Sequence, residues 1–426
     1  MLLAGKPKGT RDVLPEETAK WRILEGIIDE LCRVFNYGEI RTPMFEHTEL
    51  FLRGVGDTTD VVGKEMYTFE DRGGRSLTLR PECTTSTVRA YLENAMVSAP
   101  QPIKLYYVGP MFRYDKPQAG RYKQFTQFGL EAIGSSDPAI DAEVIMLAME
   151  FFKRLNLTGL KLLINNIGCP KCRTAYRETL IAYFAGNKEL LCKDCKDRLE
   201  KNPLRVLDCK VPVCKKLAEN APIMLDSLCE ECSDHFTQVK SYLDALGIAY
   251  TISGKLVRGL DYYTKTVFEI VTADNGTDLT ICGGGRYDGL VELCGGKPTP
   301  GIGFATGLER VLLAMEKAGN NLTDGRSLEC YVASLGISGK LTAMKMAAQL
   351  RGMGISTEVD FQGRSLKSQM KQADKLGAKF VVMIGDNELA TGQYIVKNMN
   401  AGNQVEIESE AVVEYIAKCL KGETQC

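Results

Sequence analysis

Between Glu16 and Phe35, apolar side chains at Trp21, Leu24, Ile27, Ile28, Leu31 and Phe35 recur every three or four positions, the repeat of an amphipathic helix. Gly38 then starts a short extended piece that ends at Pro43, since proline donates no ladder hydrogen bond. Ser76–Leu79 and Lys104–Val108 read as strands, closed by Pro81 and by Gly109-Pro110; Phe125–Ile133 alternates as another strand, and Ala142–Leu155 reads as a helix. Sheet-like sequence resumes over Leu256–Val271 and Leu279–Cys282. This irregular order lacks a β-α-β rhythm, so it predicts a mostly antiparallel sheet flanked by helices and excludes a doubly wound nucleotide fold. Beyond the polar, glycine-bounded stretch Gly319–Gly325 the texture changes. Cys330–Ala333, Lys340–Met353, Ser356–Asp360, Leu366–Leu376 and Phe380–Ile384 alternate strand and helix, which predicts a small α/β domain.

Composition adds limits. With 426 residues the chain has room for two to three domains, and 44% hydrophobic with 25% charged residues is ordinary for a soluble globular protein. The first residues lack the apolar stretch of a signal peptide and no apolar run reaches membrane-spanning length, so a cytoplasmic protein without membrane association is expected. A net charge of −1 means that any nucleic-acid partner is held by local basic patches, not by a bulk positive field.

Cysteine changes the picture more. Of fifteen cysteines, eight lie between Cys169 and Cys232, where an even spread would place about two. Cys169-Pro170-Lys171-Cys172 and Cys192-Lys193-Asp194-Cys195 are C-x2-C knuckles; Cys209, Cys214 and Cys229-Glu230-Glu231-Cys232 supply a second set. Each knuckle offers two thiolates to one tetrahedral ion, so the spacing predicts a zinc ribbon with up to two structural zinc ions; free thiols in a helical insert are the alternative. Which knuckles pair is left open by the sequence. Because sheet-like sequence stops before this window and resumes after it, residues 168–235 are expected to form an insert in a discontinuous domain of residues 1–167 and 236–322, with residues 326–426 as a separate C-terminal domain.

Two strings carry the substrate chemistry. Leu256-Val257-Arg258-Gly259-Leu260-Asp261-Tyr262-Tyr263 is followed by Gly283-Gly284-Gly285-Arg286-Tyr287-Asp288-Gly289. An arginine, an acid and paired tyrosines ahead of bare glycine backbone suit a small polar, partly aromatic ligand. Upstream lies Met111-Phe112-Arg113-Tyr114-Asp115, then a basic glycine loop to Tyr122, then Lys123 to Glu131; downstream, Gly301 to Arg310 reads as a small-residue strand feeding a helix that delivers an arginine. With the helix–Gly38–Pro43 segment in front, these strings resemble, in order, the three motifs of class II aminoacyl-tRNA synthetases. The two strings between the second and third resemble the histidine-binding signatures of the histidyl-tRNA synthetase family. The resemblance spans nearly the whole chain.

The resemblance implies an α+β class II catalytic domain with an antiparallel sheet flanked by helices, a cysteine-rich insert, and a C-terminal α/β anticodon-binding domain. It implies ATP-dependent ligation of L-histidine to tRNA(His) through an adenylate, with ATP and Mg2+ as cofactors and a homodimer built on the first motif. The reaction brings a carboxylate onto the α-phosphate of ATP, so cations must sit where negative charge concentrates. By resemblance, Arg113 and Arg258 are the catalytic cations, Arg258 standing where related synthetases place a metal ion. Arg310 holds the far end of the triphosphate with Glu309 beside it. Glu131 and Tyr263 take the imidazole ring, Glu82, Cys83, Thr84, Gln127 and Tyr262 the amino-acid backbone, and Tyr287 closes the pocket. A pocket that hydrogen-bonds its ligand rejects one lacking the right groups by roughly 10⁴ or more, so no editing domain is expected. Gln118 and Lys123 fall on the tRNA side, and the insert is expected over the acceptor arm. Two departures stand out: Cys83 replaces the family's usual glycine, and Thr126 replaces the histidine of many bacterial members.

In the C-terminal domain Arg364, Lys367, Lys371, Lys375 and Lys379 recur every three or four residues, which on one helix stacks basic groups opposite a buried face of Leu366, Met370 and Ala373. A solvated face explains such a row as readily as RNA does; the resemblance places it against tRNA. Two other functions fit parts of the chain. A regulatory subunit of ATP phosphoribosyltransferase shares the catalytic fold but generally lacks the C-terminal domain and erodes the arginines, and a zinc-ribbon nucleic-acid regulator would need no substrate pocket.

Overall fold

The computed structural model describes residues 5–424 apart from 57–58, 117–119, 208, 210, 275–276, 321 and 323–326, with backbone alone at 274, 277 and 278. The chain divides into two compact units, Met1–Leu322 and Thr323–Cys426. The first helix, Pro15–Val34, starts on a proline that needs no hydrogen-bond acceptor there and carries Glu16 and Glu17 in its first turn and Arg33 in its last, each sign matched to the helix dipole. Its buried face is Trp21, Leu24, Ile28 and Leu31, with Ile27 and Phe35 only half covered.

The first unit is built on an eight-stranded sheet. In chain order its strands are β1 (Gly38–Glu39), β2 (Ile103–Phe112), β3 (Gln124–Ile133), β4 (Lys161–Asn166), β5 (Thr251–Ile252), β6 (Thr264–Asp274), β7 (Thr277–Arg286) and β8 (Gly301–Gly307). They lie in the order β1-β2-β3-β8-β7-β6-β4-β5, antiparallel except at the two short outer pairs. Phe128 on β3 packs edge-on to Phe151 and Phe304, centroids 5.2 and 5.3 Å away, in a core closed by the helices Pro15–Val34, Pro138–Arg154, Glu230–Ala245 and Leu308–Lys317. Edge-to-face rings are the favoured aromatic arrangement in such a core.

Three elements differ from expectation. Strand β2 runs through Gly109 and Pro110 instead of stopping there. Its neighbour β1 pairs only with Leu105 and Tyr106, so Pro110 faces no strand on that side, and its carbonyl accepts Arg80 Nε at 2.9 Å. Leu256–Tyr263 is loop, strand structure beginning only at Thr264, and the triple glycine is the body of strand β7. The insert is helical: the helices Pro170–Ala185, Lys193–Lys201, Pro212–Ala218 and the start of Glu230–Ala245 fill it, with no strand among the described residues of 168–235. A zinc ribbon is therefore replaced by knuckles at helix ends. Cys169, Cys192 and Cys229 occupy N-cap positions, and their partners sit in the first helical turn.

The C-terminal unit has a five-stranded sheet of β9 (Cys330–Ser334), β10 (Thr357–Val359), β11 (Phe380–Ile384), β12 (Gln393–Asn398) and β13 (Gln404–Glu408), ordered β10-β9-β11-β12-β13. Its first three strands are parallel and carry the expected α/β alternation; the antiparallel pair β12–β13 extends it. Among the described residues no helix is long and apolar enough to cross a membrane.

Candidate active site

Two cavities meet on one face of the large sheet. The smaller, about 130 Å³, is lined by Glu82, Thr84, Gln127, Glu131, Tyr262, Tyr263 and Tyr287, with Arg113 and Arg258 at its mouth. Glu131 is its deepest group. Thr84 Oγ1 donates to Glu131 Oε1 at 2.7 Å, Tyr107 OH to the same oxygen at 3.3 Å, and Tyr287 OH to Oε2 at 2.6 Å. Burial pushes this carboxyl up to about 8 against the pull of those hydroxyls, so without a ligand it is mostly protonated at neutral pH. Glycine makes the room: Gly303 on β8 faces Glu131 across the strand pair, and a Cβ there would overlap the Glu131 carboxylate. Likewise, a Cβ at Gly283 would overlap the Arg258 guanidinium.

Glu82 reaches the same cavity while accepting the Thr84 and Thr85 N–H groups at 2.8 and 3.0 Å, which caps the helix Thr84–Glu93. Burial raises its pKa and those N–H groups lower it. Cys83 corrects the sequence expectation. Its thiol turns away from the cavity to pack with Tyr107 and Met111, 3.3 Å from Thr42 Oγ1, and burial pushes it up to about 11. The side chain that replaces glycine is absorbed by the apolar backing of the pocket.

The larger cavity, about 320 Å³ and open to solvent, is lined by Arg113, Glu309 and Arg310, and also by Asp60, Glu65, Asp115, Arg121 and Arg205. Arg310 Nη1 donates to the Thr280 carbonyl at 2.8 Å, and burial, then Arg121 and Arg113, lowers its pKa. Asp115 offsets part of this repulsion through its pair with Arg121 at 2.8 Å. Glu309 is tied down, its two oxygens accepting the Thr126 N–H at 2.9 and 3.0 Å, so Thr126 serves through its backbone.

Arg113, Gln127 and Arg258 line both cavities. Arg113 Nε donates to the Pro81 carbonyl at 2.8 Å, and its guanidinium lies 5.5 Å from the Phe125 ring centre. Arg258 is paired with Glu269 and lies 5.6 Å from the Tyr263 ring centre; burial is the largest single influence and disfavours its charge, but Glu269, Tyr263, Cys282 and Tyr262 together outweigh it and keep the group cationic. Arg258 Nε and Gln127 Oε1 are buried without partners among the described residues. A buried polar atom without a protein partner is met by a ligand or an ordered water, and these two stand on the wall that both cavities share.

Glu269, Asp60, Tyr107 and Arg205 were invisible to motif reading, because Glu269 and Tyr107 join the site from other strands of the sheet, Asp60 from the start of the short helix Val61–Glu65, and Arg205 from the insert. Arg286, inside the glycine signature, serves the fold instead: fully buried, it binds Asp141 at 2.8 Å and Asp288 at 3.0 Å, and Asp141 holds His235 at 2.9 Å.

The expected tRNA residues divide. Gln118 lies outside the described residues. Lys123 Nζ sits 3.6 Å from the Tyr114 ring centre. Lys367, Lys371 and Lys375 are exposed along the helix Leu366–Lys375 over buried Ala373, whereas Arg364 is drawn out of the row by Asp360 at 2.8 Å. Gln369, also buried, bonds both the N–H and the carbonyl of Ser334 at 3.0 and 2.8 Å, an arrangement that apolar periodicity does not signal. The insert cysteines gather as Cys169, Cys172, Cys229 and Cys232, and as Cys192, Cys195, Cys209 and Cys214.

A mostly antiparallel sheet carrying arginines at the junction of a small polar pocket and a larger open cavity is the architecture of a class II aminoacyl-tRNA synthetase catalytic domain. A histidyl-tRNA synthetase profile matches residues 9–171 and 208–311, and an anticodon-binding-domain profile matches residues 329–419. The chain is 55% identical to the histidine–tRNA ligase of Desulforamulus reducens over 97% of this chain and 99% of that one, and 53% identical to that of Pelotomaculum thermopropionicum over the full length of both. The crystal structure of apo histidyl-tRNA synthetase from S. aureus superposes with a TM-score of 0.83 at 45% identity, covering 97% of this chain and all of the other. The chain belongs to the histidyl-tRNA synthetase family.

Proposed function

We propose that this chain activates L-histidine with ATP and transfers it to tRNA(His), releasing AMP and pyrophosphate. The observation that carries the reading is the wall of Arg113, Gln127 and Arg258 between the two cavities, since a carboxylate in one and an α-phosphate in the other would meet there. Histidine enters the small pocket with its ring toward Glu131 and Tyr263, so that Glu131 and the imidazole share one proton. Its amino group is held near Glu82, Thr84 and Gln127, and Tyr262 and Tyr287 cover it. ATP occupies the open cavity with its α-phosphate between Arg113 and Arg258 and its far phosphates at Arg310. ATP is used as its magnesium complex, and Glu65, Asp115 and Glu309 supply the carboxylate donors that magnesium takes on that side. Arg258 stabilises charge that develops as carboxylate oxygen attacks phosphorus, a role worth about 10² to 10³ in rate for one preorganised group.

The C-terminal unit reads the anticodon arm through Lys367, Lys371 and Lys375, while Lys123 and Gln118 of the second motif serve the acceptor end. The insert cysteines hold structural zinc. The active form is a cytoplasmic homodimer, joined near the first motif where Met44, Phe45 and Phe69 stand exposed. Amino-acid-dependent ATP–pyrophosphate exchange across all twenty amino acids tests the ligase reading: exchange with histidine alone is expected, and exchange with none would favour a regulatory paralogue.

A further inference from the structure

The eight insert cysteines are nested. The first and last knuckles of the insert, Cys169/Cys172 and Cys229/Cys232, come together at its neck, and Cys192, Cys195, Cys209 and Cys214 form a second group inside that loop. Within each group the four sulfurs lie within 4.8 Å of one another. Cys169 Sγ is 3.7 Å from Cys172 Sγ and 3.9 Å from Cys229 Sγ, and Cys192 Sγ is 3.9 Å from Cys209 Sγ. Those separations are far beyond a disulfide, and they match the edge of about 3.8 Å of a tetrahedron of sulfurs each ~2.3 Å from one zinc ion. Backbone amides already aim at the sulfurs: the Cys229 N–H donates to Cys172 Sγ at 3.1 Å and the Cys192 N–H to Cys214 Sγ at 3.2 Å. Such outer hydrogen bonds orient thiolate ligands.

The inner group also brackets a docking segment. Between Cys195 and Cys209 run Arg198, Asn202 and Arg205. Arg198 Nη2 and Arg205 Nη2 both donate to Asp60 Oδ2 at 2.9 Å, and Asn202 Nδ2 donates to Asp261 Oδ1 at 2.9 Å. Asp60 and Arg205 themselves line the open cavity, next to Val61 and Glu65. The Arg205 side chain is nine-tenths buried, and its Nε has no partner among the described residues. Arg198, Asn202 and Arg205 all fall in the stretch 172–207 that the family profile leaves unmatched.

We propose that the insert holds two zinc ions in nested four-cysteine sites, and that the inner ion fixes the segment Arg198–Arg205 as a positioning element at the edge of the nucleotide cavity. The pairing rests on the zinc reading above. The outer site closes the neck of the insert, and the inner one restrains a short loop whose basic side chains would otherwise stay in water.

The test uses full-length protein from zinc-replete cells, with zinc per chain measured by elemental analysis. Wild type is expected to carry two equivalents. Cys172→Ser with Cys232→Ser removes two ligands from one nested site and should retain one zinc, while Cys172→Ser with Cys195→Ser should lose both. The reverse pattern means that knuckles pair in chain order, and it overturns the nesting. No zinc in wild type overturns the zinc reading itself and leaves the ligase reading intact. For docking, Cys195→Ser with Cys214→Ser should keep the outer zinc and raise the KM for ATP in exchange roughly tenfold, the size of a missing charge-assisted hydrogen bond. Arg198→Gln with Arg205→Gln, which spares every cysteine, should keep both zinc ions and show the same rise. An unchanged KM for ATP in this second variant overturns the positioning role.

Discussion

The small polar pocket and the lysine row of the C-terminal unit both assemble polar side chains, by opposite means. In the pocket, Glu82, Glu131, Tyr287 and the pair Arg258 and Tyr263 come from four segments and are wholly or largely buried, so each charge depends on partners: Glu131 on three hydroxyls, Arg258 on Glu269. In the row, Lys367, Lys371 and Lys375 share one helix and stand in water. Removing one member of a buried pair leaves the other unpaired at low dielectric, whereas removing one exposed charge forfeits only a screened interaction. Substitutions in the two regions should therefore differ in size as well as kind.

The largest effect is expected at Arg258. Arg258→Ala should lower adenylate formation by at least about 10² while histidine binding stays detectable, because the cation acts mainly on charge in the transition state. A change confined to the KM for histidine would move Arg258 from catalysis to binding.

Next comes Glu131, through pH. Its folded pKa of about 8 lies above the ordinary 4.5, so the protonated form favours the unliganded fold. The stabilisation is fully present below about pH 4.5 and is lost as pH rises towards 8, at most a few kcal/mol. Glu131→Gln cannot titrate. The Tm of the unliganded wild type should therefore fall relative to the variant between pH 5 and 8; parallel curves would mean that Glu131 is ionised throughout.

A smaller effect belongs to the row. Replacing Lys367, Lys371 and Lys375 by glutamate should raise the KM for tRNA and flatten its salt dependence, by roughly one unit of slope for each phosphate that is no longer neutralised. Exchange without tRNA should not change. Unaltered tRNA kinetics would make the row a solvated face. Smallest on tRNA binding is Arg364→Met: with its guanidinium held by Asp360, it should leave the salt slope intact, and because Asp360 is buried the loss of its partner should show as a lower Tm. A slope change as large as that of one lysine would return Arg364 to the row.

The same contrast governs what could be read in advance. The lysine face was legible because helical periodicity is local, but periodicity missed Arg364 and Gln369, whose partners, Asp360 and Ser334, lie outside the helix, and it carried the row on to Lys379, which stands beyond the helix end at Lys375 and pairs with Glu329 at 3.8 Å. The pocket's residues were named by motif, yet nothing local predicted that Cys83 would point backwards, or that Arg286 would be spent on Asp141. Strand β2 outran Pro110 because the length of its neighbour, not its own sequence, decides whether a missing N–H matters there.

By itself, then, the sequence determined the family, the sheet's mostly antiparallel character, the order of the motifs, and which residue types chemistry would need. All of these reside in short stretches whose spacing is preserved on folding. Only the tertiary structure decided which cysteines gather together, which glycines make room for Glu131 and Arg258, and that Arg205 of the insert borders the open cavity. Those outcomes depend on atoms brought within a few ångströms from positions tens to hundreds of residues apart, and no local pattern encodes such distances.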